Sequence, residues 1–267
     1  MDTEHNYINV NKKTWNEKVE IHVDSEFYNM KDFLVGETSL NEIELNLLGD
    51  VRGKKILHLQ CHFGQDTISL ARMGAEVTGV DLSDKAIAKG QEVAEQLGVD
   101  VRFICSDVYQ LPEVLKEQFD IVYTSYGVIG WLPDMNKWGE IVAKFVKLGG
   151  KFVFVEFHPL IWMYDYDFTK IEYSYFNVEA IVETEIGTYA DTSAESEFNT
   201  VNWNHSIADV VQGIVNNQLQ IATFEEHNYS PYPCFNHVVE IAPKKYQIKP
   251  FGDKAPLVYA IVAKQSL

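Results

Sequence analysis

The sequence predicts an α/β fold in which a parallel sheet is covered by helices on both faces. Three observations predict it. Five apolar runs rich in Val, Ile, Phe or Tyr recur between Lys54 and His158, helix-spaced apolar stripes lie between them, and three successive runs finish in polar groups. A strand–helix–strand ladder of this kind has few solutions, because right-handed crossovers place the helices over both faces of a parallel sheet.

The elements follow in order. Residues 1–50 contain no convincing strand, but "SLNE" at 39–42 reads as a capping box between Ser39 and Glu42 ahead of Ile43 and Leu47, so a helix leads into the first strand. Upstream, Trp15, His22, Phe27 and Tyr28 interrupt a polar segment, which is expected to fold back over a site or to pin the terminus to the core. The strands are "KKILHL", "AEVTGVD", "VDVRFICSD", "FDIVYTSY" and "GKFVFVEFH", each a short run of residues suited to a pleated, buried surface. Ser83 caps a helix with Ile87, Gly90, Ala94 and Leu97 on one face and Gly98 as its stop. Met135, Trp138, Ile141, Val142 and Phe145 form a second stripe that ends at Gly149-Gly150.

Beyond His158 the pattern changes. Residues 159–203 form an insertion dense in aromatics and acids, in which Ile171, Tyr173 and Tyr175 alternate as one face of a strand. "NHSIADVVQGIVNN" then reads as a helix, and "LQIATFEEH" and "APLVYAIVAKQ" as the closing strands. No repeat, low-complexity tract or flexible linker breaks the chain, so the insertion is expected to elaborate one domain spanning 1–267.

Composition bounds the function. The 267 residues carry 46% hydrophobic content and a formal net charge of −17, enough apolar material for one sizeable core and a field that repels a phosphate backbone. Nucleic acid is therefore not the expected partner. Cys61, Cys105 and Cys234 are scattered without CxxC spacing, which suits a reducing compartment. The first residues lack the apolar core of a leader, and no run is long enough for a membrane span. The expectation is a soluble, cytoplasmic protein of unassigned oligomeric state.

The stretch "HLQCHFGQDT" follows the first strand, at the turn where doubly wound sheets bind nucleotides. Asp81 ends the second strand, where a carboxylate can accept from both ribose hydroxyls, and Asp107 ends the third. Both acids could instead cap the helices that follow. His58, Cys61 and His62 are metal-ligand types, but they supply three groups over five positions with no identified fourth, so no metal is expected.

Taken together, "KKILHLQCHFGQDT", "GAEVTGVDLS", "VRFICSDVYQLP", "FDIVYTSYGVIGWLPD" and "VKLGGKFVFVEFHP" resemble the motif series of the class I S-adenosylmethionine-dependent methyltransferases, in their small-molecule branch. The resemblance covers roughly residues 52–158. It implies a doubly wound, mostly parallel seven-stranded sheet with an antiparallel last strand, preceded by an N-terminal helical segment and carrying the aromatic-rich insertion after the fifth strand. The chain would then divide into a cap (1–50), a cofactor-binding core (51–158), an insertion or lid (159–203) and the C-terminal part of the sheet (204–267).

The resemblance implies S-adenosyl-L-methionine as cofactor, held by His58, Gln60, Cys61, Gly64, Asp81, Leu82, Ser83, Asp107, Val108 and Ser125. It places a small-molecule acceptor near Tyr28, His62, Tyr126, Trp131 and His158, with no catalytic residue assigned. His58 stands where such proteins usually have an acid, and Gln60 and His62 where they usually have Gly, so the turn is expected to be reshaped or wider. Two other readings stand beside this one. An NAD-dependent oxidoreductase should show GxGxxG, which "QCHFGQ" lacks, and a non-catalytic nucleotide-binding protein could share the fold.

Overall fold

The structure, a computed structural model, describes residues 6–176 and 179–265. Helix α1 (Tyr7–Asp24), the short α2 (Met30–Leu34) and α3 (Glu42–Leu48) precede β1 (Lys55–Leu59). The ladder continues with α4 (Gln65–Arg72), β2 (Glu76–Asp81), α5 (Asp84–Leu97), β3 (Arg102–Cys105), one turn of helix α6 (Leu111–Val114), β4 (Phe119–Ser125), α7 (Met135–Phe145) and β5 (Val146–Phe157). Then come a hairpin of β6 (Ile181–Ile186) and β7 (Glu197–Asn202), helix α8 (Ile207–Asn216), β8 (Leu219–His227), a small hairpin of β9 (Val238–Ala242) and β10 (Lys245–Ile248), and β11 (Val258–Gln265).

Seven strands form the main sheet in the order β3-β2-β1-β4-β5-β11-β8. Strands β1 to β5 pair in parallel, while β11 runs antiparallel between β5 and β8. The seven-stranded sheet with its antiparallel final strand is thus present. The order reverses at β1 and β4, so their carboxyl ends open a crevice.

Each face of the sheet carries its own core. On one, Trp138, Val142 and Phe145 of α7 and Val210 and Ile214 of α8 pack over Phe152, Phe154 and Tyr259. Trp138 is fully buried, a burial that contributes about 2–3 kcal/mol. Helices α7 and α8 cross at two glycines: a Cβ on Gly139 would collide with the Gly213 carbonyl oxygen, so the backbones approach only because neither carries a side chain. On the other face, Leu48 of α3 and Leu70 of α4 cover Ile56, Tyr123 and Val153.

The caps expected at Ser83 and Gly98 are present, with Ser83 accepting from the Ala86 N–H and Gly98 left-handed. Two expectations are corrected. The capping contact before α3 joins Asn41 and Glu44, whose carboxylate accepts the Asn41 N–H at 2.7 Å. The helix starts at Glu42, which leaves Glu44 one turn in and able to reach back, while Ser39 pairs with Ser69 instead. Ile171, Tyr173 and Tyr175 form no strand: the N–H groups of Glu172 and Tyr173 both turn back to the Met163 carbonyl, and Ile171 is exposed in a lone bridge to Tyr164. The insertion's strands are β6 and β7, whose one-sided pattern is interrupted by acids. Among the described residues no helix is long and apolar enough to cross a membrane.

Candidate functional site

The turn after β1 keeps a glycine-like backbone without the glycines. Gln60, His62 and Gly64 have φ of 55°, 50° and 78°, so two residues with side chains occupy the left-handed region at a cost of about 1–2 kcal/mol each. The expected reshaping is therefore corrected: neighbours hold the turn in this form. The Cys61 N–H donates to Val80 O at 2.9 Å, the His62 N–H to Asp81 Oδ2 at 2.7 Å, and Gln60 Nε2 to Val128 O at 2.7 Å. Gly64 itself is required, since a Cβ there would lie 2.5 Å from the Phe103 ring.

Asp81 and Asp107 both face the cavity above this turn. Asp81 also accepts the Ser83 N–H at 2.9 Å; two backbone donors leave lone pairs on both oxygens. Burial pushes its carboxyl up to about 6, against those donors. Asp107 accepts the Tyr109 N–H at 3.0 Å and so caps a turn while lining the cavity. Burial raises its carboxyl, and burial together with Asp107 lifts the Tyr7 phenol to about 12.

The remaining expected residues fall into three groups. His58, Cys61, Leu82, Val108 and Ser125 line the cavity. His58 binds Thr67 Oγ1 at 2.8 Å and burial lowers its pKa to about 3, so a neutral imidazole replaces the expected acid. Tyr28, His62, Tyr126 and Trp131 line it as well; Tyr28 and Tyr189 share a phenol–phenol hydrogen bond of 2.5 Å, Tyr126 donates to Glu44 Oε2 at 2.8 Å, and Trp131 donates to Gly127 O at 2.8 Å. Ser83 and His158 stand apart from the wall. The Ser83 hydroxyl caps α5 and donates to Asn16 Oδ1 at 2.6 Å, and His158 faces Glu226 at 3.1 Å while its Nδ1 accepts the Leu160 N–H. Among the described residues no three His, Cys, Asp or Glu are grouped to hold a metal ion.

Two features escaped the sequence reading, the role of Glu156 and the partners of helix α1. Glu156, buried at the end of β5, accepts N–H groups of Gly127, Val128, Ile129 and Phe157 and so fixes the loop after β4. No motif marks it. Helix α1 forms a roof with the β6–β7 hairpin: Asn11 donates to Val201 O at 2.8 Å and accepts the Val201 N–H at 2.9 Å, Thr14 donates to Asn199 O, and Lys18 pairs with Glu185 at 2.9 Å. Under that roof His22 meets His62, and Trp15 sets its edge against Trp131 with centroids 5.3 Å apart. The partly open cavity beneath the roof measures about 1510 Å³.

A sheet of this order, with a ligand crevice at the β1 and β4 ends and an acid closing each of β2 and β3, defines the class I S-adenosylmethionine-dependent methyltransferase fold. Residues 56–150 match the family described as a methyltransferase domain. A ubiquinone biosynthesis O-methyltransferase of Coxiella burnetii is 30% identical over 140 residues, 52% of this chain and 58% of that protein. The chain thus spans a little over half the length of that curated relative. Among solved structures, an S-adenosylmethionine-dependent methyltransferase of Methanosarcina mazei superposes with a TM-score of 0.59 at 18% identity, covering 85% of this chain and 99% of that one. The DhpI–SAH complex gives 0.57 at 18% identity and covers 98% of both chains.

Proposed function

We propose that this protein is an S-adenosylmethionine-dependent methyltransferase acting on a small-molecule acceptor, in the cytoplasm and without nucleic-acid or membrane partners. The observation that carries the reading is the convergence of Asp81, Asp107 and the Gln60–Gly64 turn on one roofed cavity. The donor set fits the cofactor. Asp81 retains lone pairs for ribose hydroxyls, Asp107 on the same cavity wall would accept from an adenine amino group, and the imidazoles beside the turn are neutral, His62 being held down to about 3 and His58 to about 3 by burial. No fixed positive charge of the turn therefore opposes a sulfonium. The Gln60 Oε1 and His62 Nδ1 atoms, buried without partners among the described residues, are free to meet polar groups of a ligand.

The cofactor, when bound, supplies a methyl group on a sulfonium, an activated leaving group that needs chiefly alignment and exclusion of water. The chain's residues meet that need. Glu156 fixes the loop from Gly127 to Ile129, and the Asn11–Val201 pairing closes the roof. Burial and Glu44 keep the proton on the Tyr126 hydroxyl, so Tyr126 orients rather than deprotonates an acceptor. The single-domain organisation over residues 1–267, with α1 and the hairpin as lid, belongs to the same proposal.

The test is a calorimetric titration with S-adenosylmethionine, S-adenosylhomocysteine and NAD, repeated with Asp81→Ala. Micromolar binding of both sulfur nucleotides, lost in the variant and absent for NAD, is expected; no binding of either overturns the proposal.

A further inference from the structure

We infer that the acceptor carries a positive charge: an amine, protonated in solution, borne on an aromatic or apolar body that occupies the cavity beyond Tyr126. The inference rests on the methyltransferase reading and specifies what shares the cavity with the cofactor.

Size comes first. A pocket for one drug-sized ligand spans roughly 300–1,000 Å³, and this cavity measures about 1510 Å³. It holds a second molecule beside a nucleoside cofactor, and one with a substantial body.

The wall beyond Tyr126 is aromatic, with neighbouring rings at steep angles. Tyr126 and Tyr232 lie 5.1 Å apart at 83°, Phe157 and Phe235 4.9 Å apart at 77°, and Phe157 and Trp162 6.0 Å apart at 86°. Rings so inclined cannot all turn the same aspect to one space, and the wall offers π faces in more than one direction. Such faces attract cations through the ring quadrupole and accept flat apolar groups equally well.

Charge decides between a cation and a neutral ring. Asp66, Asp165, Glu172 and Glu183 line the cavity, whereas its described lining contains no arginine and only Lys18 and Lys244 as lysines. Lys18 is already paired with Glu185 at 2.9 Å. A carboxylate or phosphate on the acceptor would enter this field with almost nothing to bind it, while an ammonium would be drawn in. Burial raises the Asp66 carboxyl, and a cation seated beside it would favour its charged form.

A separate observation marks a ligand contact. Tyr259 is fully buried and lines the same cavity, and its hydroxyl has no partner among the described residues. A buried hydroxyl left unpaired costs free energy, which an N–H donor from a bound molecule would recover.

The experiment uses the whole protein saturated with S-adenosylhomocysteine. Calorimetry then compares tyramine, 4-ethylphenol and 4-hydroxyphenylacetate, which share a phenol ring and differ in charge. Tyramine is expected to bind at least about tenfold more tightly than 4-ethylphenol, with 4-hydroxyphenylacetate weakest, and the preference should shrink in high salt. Glu183→Gln, which keeps an acceptor oxygen for the Tyr173 hydroxyl and removes the charge, should narrow the tyramine preference and leave S-adenosylhomocysteine affinity unchanged. If the nucleotide binds and tyramine is no better than 4-ethylphenol, or none of the three binds, the cationic acceptor is overturned and the methyltransferase reading survives. If the nucleotide itself fails to bind, both fall together.

Discussion

His22 on the roofing helix and His62 in the turn beneath it share a hydrogen bond, Nδ1 to Nε2, of 3.0 Å. One imidazole must donate and the other accept, so the pair requires a neutral ring on the accepting side. Burial supplies it, lowering His22 to about 2 and His62 to about 3. The side chain that stands in place of a glycine in the turn thereby ties the turn to helix α1.

Breaking this contact should speed cofactor release. His62→Gly, which returns the turn to glycine and relieves its positive φ, and His22→Phe, which keeps the ring packing, are each expected to raise the S-adenosylhomocysteine dissociation rate about tenfold, the worth of one buried hydrogen bond. Stopped-flow displacement reads the rate; an unchanged value for both variants would show that the lid closes without the pair.

The same histidine makes stability depend on pH. A ring whose folded pKa is depressed contributes stability above its unfolded value of 6.5, and the contribution is lost as pH falls from 6.5 toward about 2. His22→Phe should therefore flatten the decline in unfolding free energy between about pH 6.5 and pH 5 by roughly 1 kcal/mol per pH unit. Urea melts across that range provide the comparison, and parallel curves for the two proteins would contradict it.

Asp81 carries the opposite sign. Its folded pKa is raised to about 6, so below that value the carboxyl holds a proton and loses acceptor capacity for ribose hydroxyls. Affinity for S-adenosylhomocysteine is expected to be level above about pH 6 and to fall up to tenfold per pH unit below it. Asp81→Asn should bind weakly at every pH and show no step; a step that persists in the variant would assign the titration to another group.

Glu156 is expected to set the loop that faces the cofactor. Glu156→Gln exchanges one acceptor oxygen for an NH2 group that confronts backbone N–H donors, at a cost of about 3 kcal/mol. Thermal melts should fall accordingly, and the S-adenosylmethionine KM should rise more than kcat changes. A loss of stability with an unaltered KM would make Glu156 a matter of folding alone.

Gly64 gives the sharpest steric prediction. With φ of 78° and the Phe103 ring 2.5 Å from where a Cβ would stand, Gly64→Ala should destabilise the protein by about 3 kcal/mol. Gly64→Ala combined with Phe103→Leu should recover much of that loss in denaturant titrations, because the obstructing ring is gone.

The ladder was legible because its strands are uniformly apolar and its helices carry clean stripes such as Met135, Trp138, Val142 and Phe145. Asp81 and Asp107 were legible because a strand end fixes where a side chain emerges. The lid was only half legible. Trp15, His22 and Tyr28 stood out, but Asn11 and Thr14 act through contacts with Val201 and Asn199, nearly two hundred residues away in sequence, and nothing local announces them. Glu156 was hidden for a related reason: it reads as one polar residue in "FVEFH", and its role depends on a loop delivered by another strand. His158 misled because its position just past β5 is close to the crevice while its ring turns toward β8.

The Asn11 side chain engages Val201 as a neighbouring strand would, donating to its carbonyl and accepting its N–H, and Thr14 occupies the carbonyl of Asn199. Helix α1 therefore stoppers the outer edge of β7 in a hairpin that is only two strands wide. Without the helix, that edge would be left with unfilled backbone groups, a template for pairing with another chain. Any opening of this roof would thus expose a self-adhesive seam, and a ligand that held the roof shut would double as protection against aggregation.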